Sequence, residues 1–418
     1  MVNLKDRPVI IIGAGIVGLC CAYYLRKAGK QVLLVDKSLP GTGCSFGNSG
    51  AISENSITPI GMPGVMKQAP GMLINPESPL SVPVNYMMKA APWLYEFVKS
   101  ATLENVTKTA GIMASYLAGS TEQHTSILKE IGAFDLLQSG GQLHVYRTEE
   151  SLNGDSLTWR LRSEHGLKCE RVNRQQLLDL EPALSDRYHA GIFCPDQSWL
   201  ADPYEYCKRL LIHLLENGCH FVHSELADIK KYSDGWKVSL NDGLVVYADN
   251  VIVCAGVTTR NIMERLGTKL PLISQRGYHV HTWSPDVKIN RIIALSDRKA
   301  FVCPMGDSIR IGGTVEFQDP DYPPNDTRAM HLANHLAGAL DGVNIQHSTR
   351  WMGNRPCSPD SIPLIGSPKE HPGLWYATGH GHLGLTGSAN TGRLITESIL
   401  SKRLAPQLAP LSVERFSA

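Results

Sequence analysis

Near its start the chain runs Val9-Ile10-Ile11-Ile12, then Gly13-Ala14-Gly15-Ile16-Val17-Gly18, then a helical stretch to about Ala28 that stops at Gly29, then Gln31 to Asp36. A continuous apolar run suits a parallel strand covered on both faces. Strand, turn, helix and strand within about 30 residues make a βαβ unit, which commits the chain to an α/β architecture. The glycines divide the work: Gly13 makes the tight turn, Gly15 lets backbone approach a pyrophosphate, and Gly18 lets helix and strand pack closely. The helix N-terminus, with Ala14, Ile16 and Val17 around it, offers N–H groups to phosphates. Asp36, followed by Lys37, ends the second strand, where a carboxylate accepts from ribose hydroxyls and disfavours a 2′-phosphate. A glycine turn without a ligand is the plainer alternative, and the combination of strand, turn and acid argues against it.

The same segment imitates a targeting signal. Val9 to Leu25 is uncharged and follows Lys5 and Arg7. It falls short of the roughly 20 residues of a spanning helix, and no small-x-small cleavage pattern precedes Arg26 and Lys27. It reads as the buried heart of a soluble fold. Forty Lys plus Arg against 39 Asp plus Glu leave a net charge of +1, which argues against a nucleic-acid binder working through a basic face. None of the ten cysteines has Cys-x-x-Cys spacing, so no zinc or iron–sulfur site is encoded locally. Free thiols in a reducing compartment are the expectation.

Further motifs follow. Gly41 to Gly50 is a second small-residue loop, able to wrap a diphosphate and reach a flavin ring through backbone N–H groups, Ser45 and Asn48; a surface linker is the bland alternative. Residues 57–92 carry seven prolines and five of the eleven methionines, which marks an ordered but irregular excursion. A helical stretch from about Trp93 to Ile131 is expected to break at Gly111 and Gly119. Strands are expected at 141–146, 220–229, 236–240, 245–247 and 248–256, with antiparallel strands over 271–317 and a helix from Pro203 to Asn217. Leu374 to Thr378 enters Gly379-His380-Gly381-His382-Leu383-Gly384-Leu385-Thr386, where a helix N-terminus would face an electron-rich group. His380 and His382 lack a third ligand nearby, so no metal site is expected. In the loop Trp351 to Gly366 the cation Arg355 suits a two-bonded grip on a carboxylate; a structural pairing with Asp360 is the alternative.

Together these motifs resemble the FAD-dependent oxidoreductases of the D-amino-acid oxidase class, which includes glycine and sarcosine oxidases, and most resemble its bacterial D-amino-acid dehydrogenase branch. The resemblance runs from about Pro8 to about Arg403. It implies FAD as cofactor and a discontinuous Rossmann-like flavin domain (1–95, 171–262 and 345–418). An inserted α+β substrate domain on an antiparallel sheet (96–170 and 263–344) completes the implied fold. By similarity Leu226 falls at the adenine, Ala255 and Gly256 lie on the cofactor, and Gly381 to Thr386 contact it, as do Ser45, Asn48 and Gly50. Arg355 matches the carboxylate-binding arginine, and Gln275-Arg276-Gly277-Tyr278 matches a strand leading into the active site. Several relatives place a tyrosine near Phe301. Sarcosine oxidases attach their flavin through a cysteine at a position that here aligns with Gly353, so non-covalent FAD is implied.

The resulting expectation is a dehydrogenase that oxidises the Cα–N bond of D-amino acids and passes electrons to a quinone or another carrier. Oxidation of D-proline or hydroxy-D-proline is the close alternative, which the apolar Phe301 would suit. A flavin-carrying subunit of an electron-transfer complex is the alternative of another class. Met62, Met66, Met72, Met87, Met88 and Trp93 are candidates for a soft docking surface; that they simply roof the flavin pocket is the plainer alternative. The expected location is the cytoplasm, with peripheral contact at the inner face of the membrane.

Overall fold

The computed structural model describes residues 7–64, 80–284 and 286–417. Met66, Met72 and part of the proline-rich excursion lie outside the described residues. The strand Val9–Ile12 is buried along its length and pairs in parallel with Val32–Asp36 on one side and Val251–Val253 on the other. His220–His223 and Leu374–Thr378 extend this sheet in parallel, and Leu364–Gly366 closes it antiparallel. Successive side chains of a strand point to opposite faces, and the pattern follows that rule. Val9 and Ile11 pack with Leu19 and Leu25 of helix Ile16–Lys27 and Leu394 of helix Gly384–Ser401. Ile10 and Ile12 face a three-stranded meander of Leu226–Tyr232, Gly235–Leu240 and Val245–Ala248 through Trp236 and Val238. Helix, sheet and meander therefore form a layered α/β unit, as the opening motif requires.

Among the described residues the second large sheet has nine strands. Ile273–Thr282 pairs along its length with Ser348–Cys357, antiparallel, and on its other edge with Ser308–Phe317. Ala300–Met305, Ile292–Leu295, Gln142–Tyr146, Ala190–Cys194 and Glu170–Asn173 continue it, and Leu80–Ser81 joins Ser308–Phe317. Helix Asp326–Ala339 packs Leu332 and Leu336 against Val280, Val302 and Ile311 of this sheet.

Sheet membership departs from the segment boundaries expected from sequence. Strands 170–173 and 190–194 fall within the expected flavin segment 171–262, or at its edge, yet they pair into the nine-stranded sheet. Strand 348–357 does the same from the segment 345–418, because its ten-residue register with 273–282 fixes it there. Conversely, helices Leu103–Leu117 and Ser120–Glu130, from the expected substrate segment, bury Val106, Met113 and Ile127 in the core of the six-stranded side. The helical region itself begins at Val84 and runs through Pro92 to Ser100. It breaks at Thr102, which caps the next helix through Asn105 N–H, and again at Gly119 in the left-handed region. No break occurs at Gly111. His220–Ile229 is likewise two strands rather than one, interrupted at Ser224 and Glu225.

Candidate active site

The glycine turn sorts its residues by function. Gly13 has φ +111°, and a side chain there would collide with the carbonyl of Cys254 in the neighbouring strand. A side chain at Gly18 would collide with the carbonyl of Gly13. Both glycines are demanded by the protein's own packing. Gly15 is different: an added Cβ would meet only Ser45 Oγ at 3.4 Å, an ordinary contact, and the residue borders a large cavity. Space is kept at Gly15 for something other than protein. Asp36 braces the turn, its Oδ2 accepting from Ala14 N–H (2.7 Å) and its Oδ1 from Ser38 N–H (2.8 Å).

The cavity measures about 1290 Å³ and lies between the two large sheets. That exceeds the roughly 300–1,000 Å³ typical of a drug-sized ligand, so there is room for a dinucleotide with a small substrate beside it. Two helices present their N-termini to it. Helix 16–27 begins after Gly15 and helix 384–401 after Leu383; neither N-cap residue caps its own helix and neither helix has an acidic residue in its first turn, although Ser45 Oγ takes the Ile16 N–H of the first. Such N-termini leave N–H donors and the positive dipole end to a ligand. The helices touch closely, since a Cβ on Gly392 would come within 2.6 Å of the Cys20 carbonyl oxygen.

The small-residue loop lines the same cavity, but its side chains are occupied differently from the expectation. Ser45 Oγ accepts from Ile16 N–H (2.9 Å), and Asn48 Oδ1 accepts from Gly50 N–H (2.8 Å). The loop is therefore folded by its own polar groups. Arg310 clamps it, donating to the carbonyls of Phe46 (3.1 Å) and Asn48 (2.6 Å). Ala14, Gly18 and Gly50 lie behind the cavity wall rather than on it; at Gly50 a side chain would strike the Leu200 carbonyl. Every other expected site residue borders the cavity: Gly13, Gly15, Ile16, Val17, Asp36, Lys37, Ser45, Asn48, Leu226, Ala255, Gly256, Tyr278, Phe301, Arg355 and the run Gly381 to Thr386.

Arg355 reaches the cavity from strand 348–357. Its Nη1 donates to the Thr314 carbonyl (3.0 Å), and its guanidinium lies so close over Gly277 that a side chain there would collide with it. No carboxylate pairs with it among the described residues. Asp360, the structural alternative, accepts instead from Arg415 Nε (2.7 Å) and Nη2 (3.0 Å). Burial lowers the Arg355 pKa, yet a guanidinium stays protonated at neutral pH. His382 presents a large accessible surface to the same cavity, and burial within the protein, with Arg355 and Arg162 nearby, holds its imidazole down at about 4. His380 is turned inward, its Nε2 bonded to Thr391 Oγ1 (3.0 Å), so the two histidines do not converge on one point.

Tyr278 has its hydroxyl committed, donating to Glu316 (2.6 Å) and accepting from Asn325 N–H (3.0 Å). It shapes the wall from the strand expected to lead into the active site. Phe301 borders the cavity from strand 300–305 and packs against Trp199, Ile292, Cys303 and Met305. Sequence reasoning missed the aromatic group beside the loop: Trp351 covers Gly47 and Gly353, stacks on His279 (centroids 5.1 Å) and tilts against Phe46. It also missed Arg162, His144 and Trp159. The two glycines flanking Trp351 in space were the available signal for the first group.

The family model for FAD-dependent oxidoreductases, known as DAO, matches residues 8–398. The chain belongs to that family. FAD is the family's cofactor, and the open space at Gly15 together with the positive dipole ends of two helices suits its diphosphate. This FAD-dependent oxidoreductase is 33% identical to a D-amino-acid oxidase of Bradyrhizobium diazoefficiens, over 99% of both chains. It is 27% identical to a D-amino acid dehydrogenase of the same organism, over 98% of this chain and 99% of that one. Its fold is shared with the glycine oxidase of Geobacillus kaustophilus (TM-score 0.78, 19% identity, 98% of each chain covered). An L-proline dehydrogenase from P. horikoshii is also similar in fold (TM-score 0.77, 17% identity, 99% and 98% covered).

Proposed function

We propose that this oxidoreductase oxidises the Cα–N bond of D-amino acids. The observation that carries the reading is Arg355: a half-buried cation on the cavity wall with no carboxylate partner among the described residues. A substrate carboxylate supplies the missing charge, gripped by two parallel N–H donors. The six-stranded unit then serves as the flavin domain. Gly13 to Gly18, Asp36, Leu226, Ala255–Gly256 and the N-terminus of helix 384–401 would hold FAD, and the nine-stranded sheet would present Arg355 and Phe301 to the substrate.

Bound FAD supplies the two-electron oxidation. The chain's residues supply orientation and field. A cavity carrying Arg355 and a buried arginine, Arg162, disfavours another positive charge, so a substrate ammonium loses its proton more easily there. His382, held neutral at about 4, is too weak a base to take that proton at neutral pH. The amine therefore releases its proton to water on entry, and no side-chain base is required. The imino acid formed is hydrolysed to a 2-oxo acid and ammonia. Gly353 stands on the cavity wall beneath Trp351, and Cys357 is buried with Trp93 and Phe317 with its thiol pushed up to about 12, which supports non-covalent FAD.

Electrons leave to a quinone or another carrier in this reading. Helix 84–100 supports it by exposing Met87, Met88, Tyr95 and Val98, an apolar face suited to a partner or to peripheral membrane contact. Among the described residues no helix is long and apolar enough to cross a membrane. The test is anaerobic reduction by a panel of D- and L-amino acids, followed by reoxidation with air-saturated buffer or a quinone analogue. Bleaching by D-amino acids and faster return with the quinone are expected. Rapid return in air with stoichiometric peroxide would make it an oxidase, and bleaching by L-amino acids alone would overturn the substrate class.

A further inference from the structure

On the wall formed by helix Ser156–Glu164 and strand Gln142–Tyr146 stands another guanidinium of the cavity. Arg162 is only 8% exposed, borders the cavity, and has Nε and Nη1 buried without a hydrogen-bond partner. Its guanidinium rests on the Trp159 ring at 4.6 Å. His144, also 8% exposed, meets the same ring edge-on at 4.8 Å, and its Nε2 is likewise buried without a partner. Lys299 borders the cavity as well. The acid on this wall, Asp155, accepts from the Tyr146 hydroxyl (3.0 Å) and lies 3.9 Å from Lys299 Nζ, and no ion pair joins it to Arg162. The wall therefore carries an excess of positive charge, with buried nitrogens of two residues left without a partner. Buried polar groups are normally satisfied, and a buried charge without a partner is strongly unfavourable. A water molecule could satisfy the donors, but only an anion satisfies the charge as well.

We propose that Arg162, His144 and Lys299 form a second anion subsite, which takes the side-chain carboxylate of an acidic D-amino acid. This rests on the reading that Arg355 holds the α-carboxylate. Arg162, Arg355 and His382 all border the same cavity. Trp159 fixes the subsite by packing, its Nε1 donating to the Tyr146 hydroxyl (3.0 Å), so the guanidinium is held in place before any ligand arrives. A dicarboxylic substrate is thereby distinguished from its amide, which brings no charge to the subsite and leaves the cation unpaired.

The FAD-loaded protein is tested with D-aspartate against D-asparagine and D-glutamate against D-glutamine, reading kcat/KM from flavin bleaching. A preference for one or both acids of tenfold or more is expected, falling by at least tenfold in Arg162→Met and partly restored in Arg162→Lys. Cys169→Ser controls for the Cys169–Cys194 thiol pair (3.4 Å apart), whose electrostatic influence reaches Arg162, and is expected to keep the preference. Thermal shift with succinate and glutarate, against butyrate, gives a second readout that needs no turnover. Dicarboxylates are expected to raise Tm more, and Arg162→Met to abolish the difference. No acid-over-amide preference and no dicarboxylate shift in the unaltered protein overturns the subsite, as does a folded Arg162→Met variant that retains both. A dicarboxylate shift dependent on Arg162, without bleaching by any D-amino acid, keeps the subsite and overturns the oxidation reading instead.

Discussion

Asp360 grips Arg415 with both carboxylate oxygens, at 2.7 and 3.0 Å, and so leaves Arg355 free of the acid nearest to it in sequence. The two arginines therefore answer differently to mutation. Asp360→Ala strands a largely buried Arg415 and is expected to cost about 3–5 kcal/mol of stability. Arg355→Ala removes a half-buried cation that no carboxylate among the described residues pairs with, and is expected to leave Tm unchanged or raised. Its cost falls on turnover, where loss of a two-bonded carboxylate grip lowers kcat/KM by about two orders of magnitude or more, roughly 3 kcal/mol. Arg355→Lys is expected to recover little, since an ammonium lacks the planar fork. Thermal melts and steady-state kinetics on the three variants check this. Near-normal kinetics in Arg355→Ala would falsify the assignment.

The glycine turn gives a second separation. Gly13→Ala and Gly18→Ala are expected to destabilise the protein with or without FAD, because each new Cβ meets backbone. Gly15 adopts φ −71° and ψ 176°, which alanine tolerates, so Gly15→Ala is expected to change FAD-free stability by no more than about 0.5 kcal/mol. FAD affinity is expected to fall by tenfold or more in that variant. Fluorescence titration of FAD beside melts of the apoprotein decides it: unchanged affinity in Gly15→Ala removes the diphosphate from this turn.

Stability is expected to fall on mild acidification. His124 is fully buried, its ring nitrogens bonded to the Tyr206 hydroxyl and the Leu385 carbonyl, and burial lowers its pKa to about 4. The unfolded chain takes up that proton near pH 6.5, whereas the folded chain refuses it until about pH 4. The stabilisation is thus complete above pH 6.5 and is lost progressively as pH falls towards 4, on the order of 3 kcal/mol for such a group. Melts between pH 7 and pH 5 should show a decline that is shallower in His124→Gln. Parallel curves for the two proteins would assign the decline to other groups.

Acid precipitation is expected to release all flavin into the supernatant. Cys44 has its thiol on the cavity, donating to the Asn354 carbonyl, and among the described residues no lysine, arginine or histidine is bonded to it to favour the reactive thiolate. Yellow colour retained in the pellet, and lost in Cys44→Ser, would show an attachment through that residue.

The βαβ unit and the strand-to-helix entry at residue 374 were legible because their signals are local: apolar runs, glycine spacing and an acid at a strand end. Arg355 was legible only through resemblance, and its lack of a partner emerged from Asp360 turning to Arg415, a contact between residues 55 apart in the chain. Arg162 was not legible. Ser156 to Glu164 reads as a charged surface helix, and only packing against strand 142–146 buries its second arginine. The same limit applies to strand 348–357, whose sheet is chosen by long-range register with 273–282 rather than by its own composition. Gly111 misled for the opposite reason, since neighbouring helices overrule the weak helix propensity of one glycine.

One wall of the cavity begins at Gly15 and its facing wall at Gly384, on helices that rest directly against each other. A ribosome makes the first of these helices hundreds of residues before the second. Until the second is made, the nucleotide turn stands without the helix it packs against, so a complete cradle for FAD exists only after both segments have been synthesised and brought together.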